Sequence, residues 1–120
     1  MVKILVIDDD KIIRDILRSQ FEGRAYRVLE AADGDSGVNT ARTEKPNLIV
    51  LDMSLPGMTG WDVLPVLRSH PDTKAIPVIA LTSHDSPVDR DQAHAAGCDR
   101  YVTKPIEAER LFKAVDALIG

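Results

Sequence analysis

The stretch Lys3-Ile4-Leu5-Val6-Ile7-Asp8-Asp9-Asp10 sets an almost purely apolar run directly before three acids. Such a run is typical of a strand buried on both faces of a parallel sheet. The pattern returns at Leu48–Leu51, before Asp52, and at Ile76–Leu81, before Thr82 and Ser83. The sequence therefore predicts buried parallel strands whose carboxyl ends carry polar, chemically useful side chains.

Two further strands and five helices complete the pattern. Tyr26–Ala31 alternates more strongly, as an edge strand does, and Arg100–Thr103 is a short fifth strand. Helical patterns occupy Lys11–Glu22, Ser36–Glu44, Asp62–Ser69, Pro87–Ala96 and Glu107–Leu118. This alternation predicts an α/β fold: a doubly wound, flavodoxin-like, five-stranded parallel sheet of order 2-1-3-4-5 with helices on both faces. We expect one domain over residues 1–120.

Local signals refine two helices. Ser86 is predicted to cap the fourth helix, with Pro87 at its first position and Gly97 after its end. Pro65 conflicts with the third helix, because proline in a helix interior costs about 3 kcal/mol. We therefore expect Asp62 to be the N-cap, which would put Pro65 in the first turn, or else a kink at Pro65. Cys98 is expected to pack as a small apolar group.

Composition excludes several classes of protein. The net charge is −4 and no cluster of Lys and Arg occurs, so direct binding of nucleic acid is not expected. No run approaches the roughly 18 apolar residues of a membrane span. The first apolar run lacks a cleavage site and is not a signal peptide. The single Cys98 cannot form an internal disulfide, which fits a cytoplasmic location.

The predicted topology brings distant polar residues to one rim of the sheet. In this strand order a ligand binds past the carboxyl ends, between strands one and three. Asp8, Asp9 and Asp52 would meet there, with Thr82 and Lys104 following the next two strands. Crowded carboxylates raise one another's pKa, and a hard cation such as Mg²⁺ relieves that repulsion. Phosphoryl transfer needs positioning and charge neutralisation, and an aspartate can be its nucleophile.

The sequence resembles the receiver domains of two-component response regulators over essentially its whole length. The resemblance rests on Asp8-Asp9, on the run from Leu51 to Gly60, on Ile79–Ser83, on Ala96-Gly97-Cys98, and on Tyr101–Pro105. It implies that Asp52 is the phosphoacceptor. It also implies that Mg²⁺ is bound by Asp9 directly, by Asp8 through water, by Asp52, and by the backbone carbonyl of Ser54.

The resemblance assigns further roles. Thr82 corresponds to a switch hydroxyl, Tyr101 to a switch aromatic that turns inward when Thr82 moves, and Lys104 to the phosphoryl-binding lysine, with a cis bond to Pro105. A sensor histidine kinase or a histidine phosphotransfer protein would supply the phosphoryl group. A downstream protein would bind the face of helix four, strand five and helix five. The protein would be a switch rather than a metabolic enzyme, and a monomer or weak dimer.

Other interpretations remain at this point. Asp8-Asp9-Asp10 also fits a phosphohydrolase of the haloacid dehalogenase type, with Asp8 as nucleophile and Asp10 as acid/base, although Asp52 would then have no role. A degenerate receiver used as a binding scaffold is a third hypothesis. Ser54 and His84 occupy variable positions of the family beside the path of the hydrolytic water, which leaves the phosphoryl lifetime open. No output domain is expected after the fifth helix, although a receiver cut from a longer regulator would look the same.

Overall fold

The computed structural model describes residues 1–83 and 87–120. Within these residues all neighbouring strands are parallel, and the sheet order is β2-β1-β3-β4-β5. This order and the predicted fold class are confirmed. The elements are β1 Lys3–Ile7, α1 Lys11–Glu22, β2 Arg27–Ala31, α2 Gly34–Glu44, β3 Leu48–Asp52, α3 Gly60–Ser69, β4 Val78–Thr82, α4 Pro87–Ala96, β5 Arg100–Thr103 and α5 Ala108–Ile119.

Alternate residues of the central strands face two separate apolar layers. In β1, Ile4 and Val6 pack on one side and Leu5 and Ile7 on the other. Helices α1 and α5 cover the first side, and α2, α3 and α4 cover the second. The central strands are buried on both faces, which is why they read as continuous Val, Ile and Leu. Among the described helices, none has the length and apolar character needed to cross a bilayer.

Helices α2 and α3 begin earlier than the sequence pattern predicts. The α2 helix starts at Gly34, because the Asp33 carboxylate accepts from the Ser36 N–H at 2.8 Å and from its hydroxyl at 2.7 Å. The predicted start at Ser36 was therefore wrong by two residues.

Strand β4 begins later than predicted. Its first residue is Val78 rather than Ile76, and the Pro77 carbonyl accepts from the Ile49 N–H at 3.0 Å.

The start of α3 corrects a prediction. Thr59 is the N-cap, and Asp62 is the third helical residue of a capping box, its carboxylate accepting from the Thr59 N–H at 3.0 Å. The prediction that Asp62 is the N-cap was wrong, and Pro65 lies inside the helix. Gly60 permits this start, because a Cβ there would lie 2.6 Å from the Met53 Cα.

The fourth helix agrees with its signals where they can be compared. It starts at Pro87, ends at Ala96, and is followed by Gly97 with a φ of +118°. Cys98 is buried in the core as expected. The predicted Ser86 cap and the position of His84 lie outside the described residues.

Candidate functional site

The reversal of strand order between β1 and β3 builds an acidic cluster. Asp52 is the last residue of β3, and Asp8 and Asp9 directly follow β1. Carboxylate oxygens of the three residues lie within 4.8 Å of one another. Asp8 is fully buried and Asp52 is 2% exposed, whereas Asp9 is exposed. The three carboxylates that the sequence analysis proposed as metal ligands are thus adjacent.

Backbone groups orient the two buried carboxylates. The Ser54 N–H donates to Asp52 Oδ1 at 2.9 Å, and the Asp10 N–H donates to Asp8 Oδ1 at 2.9 Å. Ser54 lies in the turn that follows β3. Asp8 Oδ2 is buried and has no hydrogen-bond partner among the described residues. A buried acceptor without a partner is costly, which makes this oxygen a natural ligand for a cation.

Lys104 brings one positive charge to the cluster. Its Nζ lies 3.3 Å from Asp52 Oδ1 and 3.6 Å from Asp8 Oδ2. Its backbone N–H donates to the Thr82 carbonyl at 2.7 Å, and its bond to Pro105 is cis, as predicted. A single ammonium leaves the charge of the three carboxylates only partly balanced.

The pKa of Asp8 agrees with this excess of negative charge. Burial raises the pKa of the Asp8 carboxyl above its ordinary value, and the Asp52 and Asp9 carboxylates raise it further. The Asp10 N–H and the Lys104 ammonium oppose the rise in this pKa. The all-oxygen donor set, the Asp8 oxygen that accepts no hydrogen bond and the excess negative charge fit a hard divalent cation.

The two proposed switch residues lie on the neighbouring strands. Thr82 ends β4, one residue beyond the partner of Asp52, and is 4% exposed. Tyr101 lies in β5, where it pairs with Ala80 of β4. Its side chain is half-buried and packs against the core on the side of α4. The Arg90 guanidinium lies 5.5 Å from the centroid of the Tyr101 ring. The structure thus places Thr82 at the carboxyl end of β4, next to the acidic cluster, and Tyr101 in β5 beside Arg90 of α4.

Sequence reasoning missed two contributors. Asp10 caps α1 by accepting from the Ile12 N–H at 2.9 Å. Arg14 donates to the Asp8 carbonyl at 2.8 Å and to Glu30 at 3.1 Å, and so holds the loop after β1. The sequence position of Glu30 could have indicated such a contact, because a carboxylate within a mostly apolar strand usually has a cationic partner.

The chain belongs to the family of response regulator receiver domains, whose model matches residues 4–116. It is thus a phosphoacceptor signalling module of the two-component type. Neither the fold nor the comparisons support the phosphohydrolase alternative. Protein PilH of Pseudomonas aeruginosa is 34% identical over 120 residues, which cover 100% of this chain and 99% of PilH. The transcriptional regulatory protein PhoP of Bacillus subtilis is 37% identical over 98% of this chain but only 48% of PhoP, so the chain spans about half of that relative.

Solved structures agree with the family. The chemotaxis protein CheY4 of Vibrio cholerae is 28% identical and superposes with a TM-score of 0.93 over 99% of both chains. The receiver domain of a Pseudomonas aeruginosa sensor histidine kinase is 27% identical, with a TM-score of 0.90 over 99% of this chain and 98% of that one. That structure holds a magnesium ion coordinated in its active-site cleft.

Proposed function

We propose that Asp52 accepts a phosphoryl group in a Mg²⁺-dependent reaction and that the domain acts as a switch rather than as a metabolic enzyme. One observation carries the proposal: Asp52, 2% exposed at the end of β3, lies 3.3 Å from an ammonium and within 4.8 Å of two further carboxylates. The carboxylates of Asp8, Asp9 and Asp52 and the carbonyl of Ser54 would hold Mg²⁺. The magnesium ion in the sensor kinase receiver supports this choice of metal.

The groups around Asp52 would have different roles in the transfer of the phosphoryl group. Ser54 N–H and Lys104 both contact Asp52 Oδ1, which leaves Oδ2 to attack phosphorus. A bond forms between Oδ2 and phosphorus while the phosphorus–nitrogen bond of a phosphohistidine breaks, and its electron pair returns to the imidazole. Bound Mg²⁺ would neutralise negative charge on the carboxylates and the phosphoryl oxygens. Lys104 and the Thr82 hydroxyl would each bind a phosphoryl oxygen.

An apolar surface beside the site suits docking of the phosphoryl donor. Ile12 and Ile16 lie one turn apart on α1, directly after the acidic loop, and are 69% and 44% exposed. Exposed apolar side chains rimmed by polar residues mark protein interaction sites. A sensor histidine kinase or a histidine phosphotransfer protein would bring its phosphohistidine to Asp52 over this surface, in the cytoplasm.

The phosphoryl group would act through Thr82 and Tyr101. Drawing the Thr82 hydroxyl toward phosphate would vacate space beside β5, and the Tyr101 ring would turn inward. The face of α4, β5 and α5 would then present a different surface to a downstream protein, which is a shift between two packings. Residues 1–120 would act as the receiver unit, as a monomer or weak dimer.

Intact mass spectrometry tests the proposal. Wild type incubated with Mg²⁺ and phosphoramidate, which carries a phosphorus–nitrogen bond, should gain one phosphoryl group. Asp52→Asn should gain none, and omission of Mg²⁺ should reduce the yield of wild type at least about tenfold. Asp35→Asn, which removes an exposed carboxylate in α2, is the matched control and should react as wild type.

Two results would contradict this function. Phosphorylation of Asp52→Asn together with its loss in Asp8→Asn would revive the hydrolase hypothesis. Absence of phosphoryl gain in wild type, with phosphoramidate and also with a phosphorylated histidine kinase, would favour a binding scaffold.

A further inference from the structure

The loop after β1, residues 8–10, carries two of the three carboxylates of the acidic cluster and leads directly into α1. Arg14 of α1 reaches back to this loop, and its Nη1 donates to the Asp8 carbonyl at 2.8 Å. The Arg14 side chain is only 16% exposed. A largely buried guanidinium therefore binds the backbone of the loop at the residue that precedes Asp9.

This contact fixes a peptide plane rather than a carboxylate. The Asp8 carbonyl belongs to the planar peptide unit that joins Asp8 to Asp9, so holding this carbonyl also fixes the backbone from which the Asp9 side chain departs. The Asp8 N–H donates to the Ala31 carbonyl at 3.1 Å, which holds the same residue from the side of β2. Because Asp9 is exposed, the direction of its carboxylate depends on this backbone.

Glu30 of β2 holds Arg14 in this position. Arg14 Nε donates to Glu30 Oε1 at 3.1 Å, and Arg18 Nε donates to Glu30 Oε2 at 2.7 Å. The guanidinium is a rigid plane, so a bond at Nε also orients Nη1 toward its acceptor. Arg18 donates in addition to the Val28 carbonyl and to Glu22. Within residues 1–83 and 87–120, Arg14 is the one of these two arginines that contacts the loop.

Further hydrogen bonds join the loop to the first turn of α1. The Asp10 carboxylate accepts from the Ile12 N–H at 2.9 Å, and the Asp10 carbonyl accepts from the Arg14 N–H at 3.0 Å. With the bond from Arg14 to Asp8, the loop is held at two of its three residues by α1. A site that is ordered before its ligand arrives gains affinity, because the cost of ordering is not taken from binding.

We propose that Arg14, held by Glu30, is a positioning residue that preorganises Asp8 and Asp9 to bind Mg²⁺. The inference rests on the proposed function and goes further by naming a residue that acts through the metal ligands rather than on the ion. The charge of Arg14 predicts the opposite effect, because one cation near the cluster weakens binding of a second. The direction in which the Kd for Mg²⁺ changes therefore separates geometry from charge.

Calorimetric titration of Mg²⁺ into the metal-free protein measures this effect without any phosphoryl transfer. Arg14→Gln should raise the Kd for Mg²⁺ by about tenfold, as loss of a group that orients a metal ligand does. Arg14→Lys keeps the charge but cannot contact the Asp8 carbonyl and Glu30 together, so it should show most of the same rise. Arg18→Gln is the matched control, because it removes an ion pair with the same Glu30 and should leave Kd within about twofold.

The dependence of phosphorylation on Mg²⁺ gives a second readout. With phosphoramidate as donor, the Mg²⁺ concentration that gives half the maximal rate should rise about tenfold in Arg14→Gln. The rate at saturating Mg²⁺ should stay within about twofold of wild type, because the ion can still order the loop when it is abundant. A residue that merely supports the fold would not separate these two quantities.

Three results would overturn the inference: an unchanged or lower Kd in both Arg14 variants, an equal rise of Kd in Arg18→Gln, or a reduced rate at saturating Mg²⁺ with unchanged Kd. Should Arg14→Gln prove unfolded in circular dichroism, the more conservative Arg14→Lys decides the question. The inference fails alone if wild type is phosphorylated with Mg²⁺ while the Arg14 variants bind the ion equally well. Wild type that binds Mg²⁺ more tightly than both variants but takes no phosphoryl group would overturn only the proposed function.

Discussion

Of the three consecutive acids after β1, Asp10 caps a helix, whereas the other two belong to the acidic cluster. Its carboxylate accepts from the Ile12 N–H, whereas Asp8 and Asp9 face Asp52. Asp10→Ala should lower the free energy of unfolding by about 1 kcal/mol, and Asp10→Asn should retain the cap. Urea denaturation measures both changes, and phosphorylation should persist in both variants. Loss of phosphorylation in Asp10→Asn would instead point to an acid/base role.

Cys98 is expected to be an inert thiol in the native state. Burial raises the pKa of Cys98 to about 11, and Asp99 adds to the rise. Near pH 8 only about one thiol in a thousand would then be ionised, so reaction with an aromatic disulfide reagent should be at least about a hundredfold slower than in urea. Rapid labelling of native protein would show that the thiol is accessible.

The same thiol has a defined influence on stability at alkaline pH. Because the pKa of Cys98 is raised on folding from 9.0 to about 11, the unfolded chain loses this proton first. The contribution of the thiol is fully present below pH 9 and is lost as pH rises toward 11. Cys98→Ala should remove part of the fall in unfolding free energy across this window, as followed by urea titrations. An unchanged pH profile in the variant would contradict this assignment.

At the scale of elements, sequence predicted what depends on burial and missed what depends on individual hydrogen bonds. Runs of Val, Ile and Leu identified the strands, because both faces of the sheet are covered. The starts of α2 and α3 were misplaced, because Asp33 and Thr59 cap those helices from outside the helical pattern. The acidic cluster followed from strand order, but the support of Asp8 by Arg14 depends on a side-chain position that no spacing encodes.

Arg68 joins α3 to the segments that precede β4 and β5 through several hydrogen bonds. From α3 it donates to the Gly97 carbonyl at 2.9 and 2.7 Å and to the Ile76 carbonyl at 2.6 Å, and it pairs with Asp99 at 2.9 Å. Arg68→Ala should lower the free energy of unfolding by about 2–3 kcal/mol, since these acceptors lose their partner. Arg68→Lys should rescue little, because one ammonium cannot span them.

Arg42 provides the matched control for Arg68 in chemical denaturation. Its contact with Asp72 is 3.6 Å long and both side chains are more than 40% exposed. Arg42→Ala should therefore change the free energy of unfolding by less than about 0.5 kcal/mol. Similar losses in the Arg42 and Arg68 variants would show that the carbonyl network adds no stability beyond a surface charge.

At the scale of the whole molecule, the fold concentrates negative charge where the sheet order reverses. The topology that buries apolar strands on both faces also brings Asp8 and Asp52 together out of water. Such a site opposes stability for the sake of binding, as functional sites commonly do. The loss of stability comes from repulsion between carboxylates, so its size can be measured by removing one charge or by adding a cation.

Asp8→Asn should stabilise the metal-free protein while impairing its function. Since burial raises the pKa of Asp8, the contribution of this carboxyl to stability is greatest at acidic pH and is lost as pH rises through the raised pKa. At neutral pH the substitution should therefore raise Tm by several degrees in calorimetry without Mg²⁺, whereas Asp35→Asn, in the first turn of α2, should not raise Tm.

Mg²⁺ should reverse this order of stability. At about one hundred times its Kd, the ion should stabilise wild type by about 2.7 kcal/mol, and Asp8→Asn should lose most of that gain because a ligand is missing. The variant would then be the more stable protein without metal and the less stable one with it. A variant that is destabilised without Mg²⁺ and still gains the full increment would mean that Asp8 is a structural carboxylate, and that the repulsion at the rim is relieved by Lys104 alone.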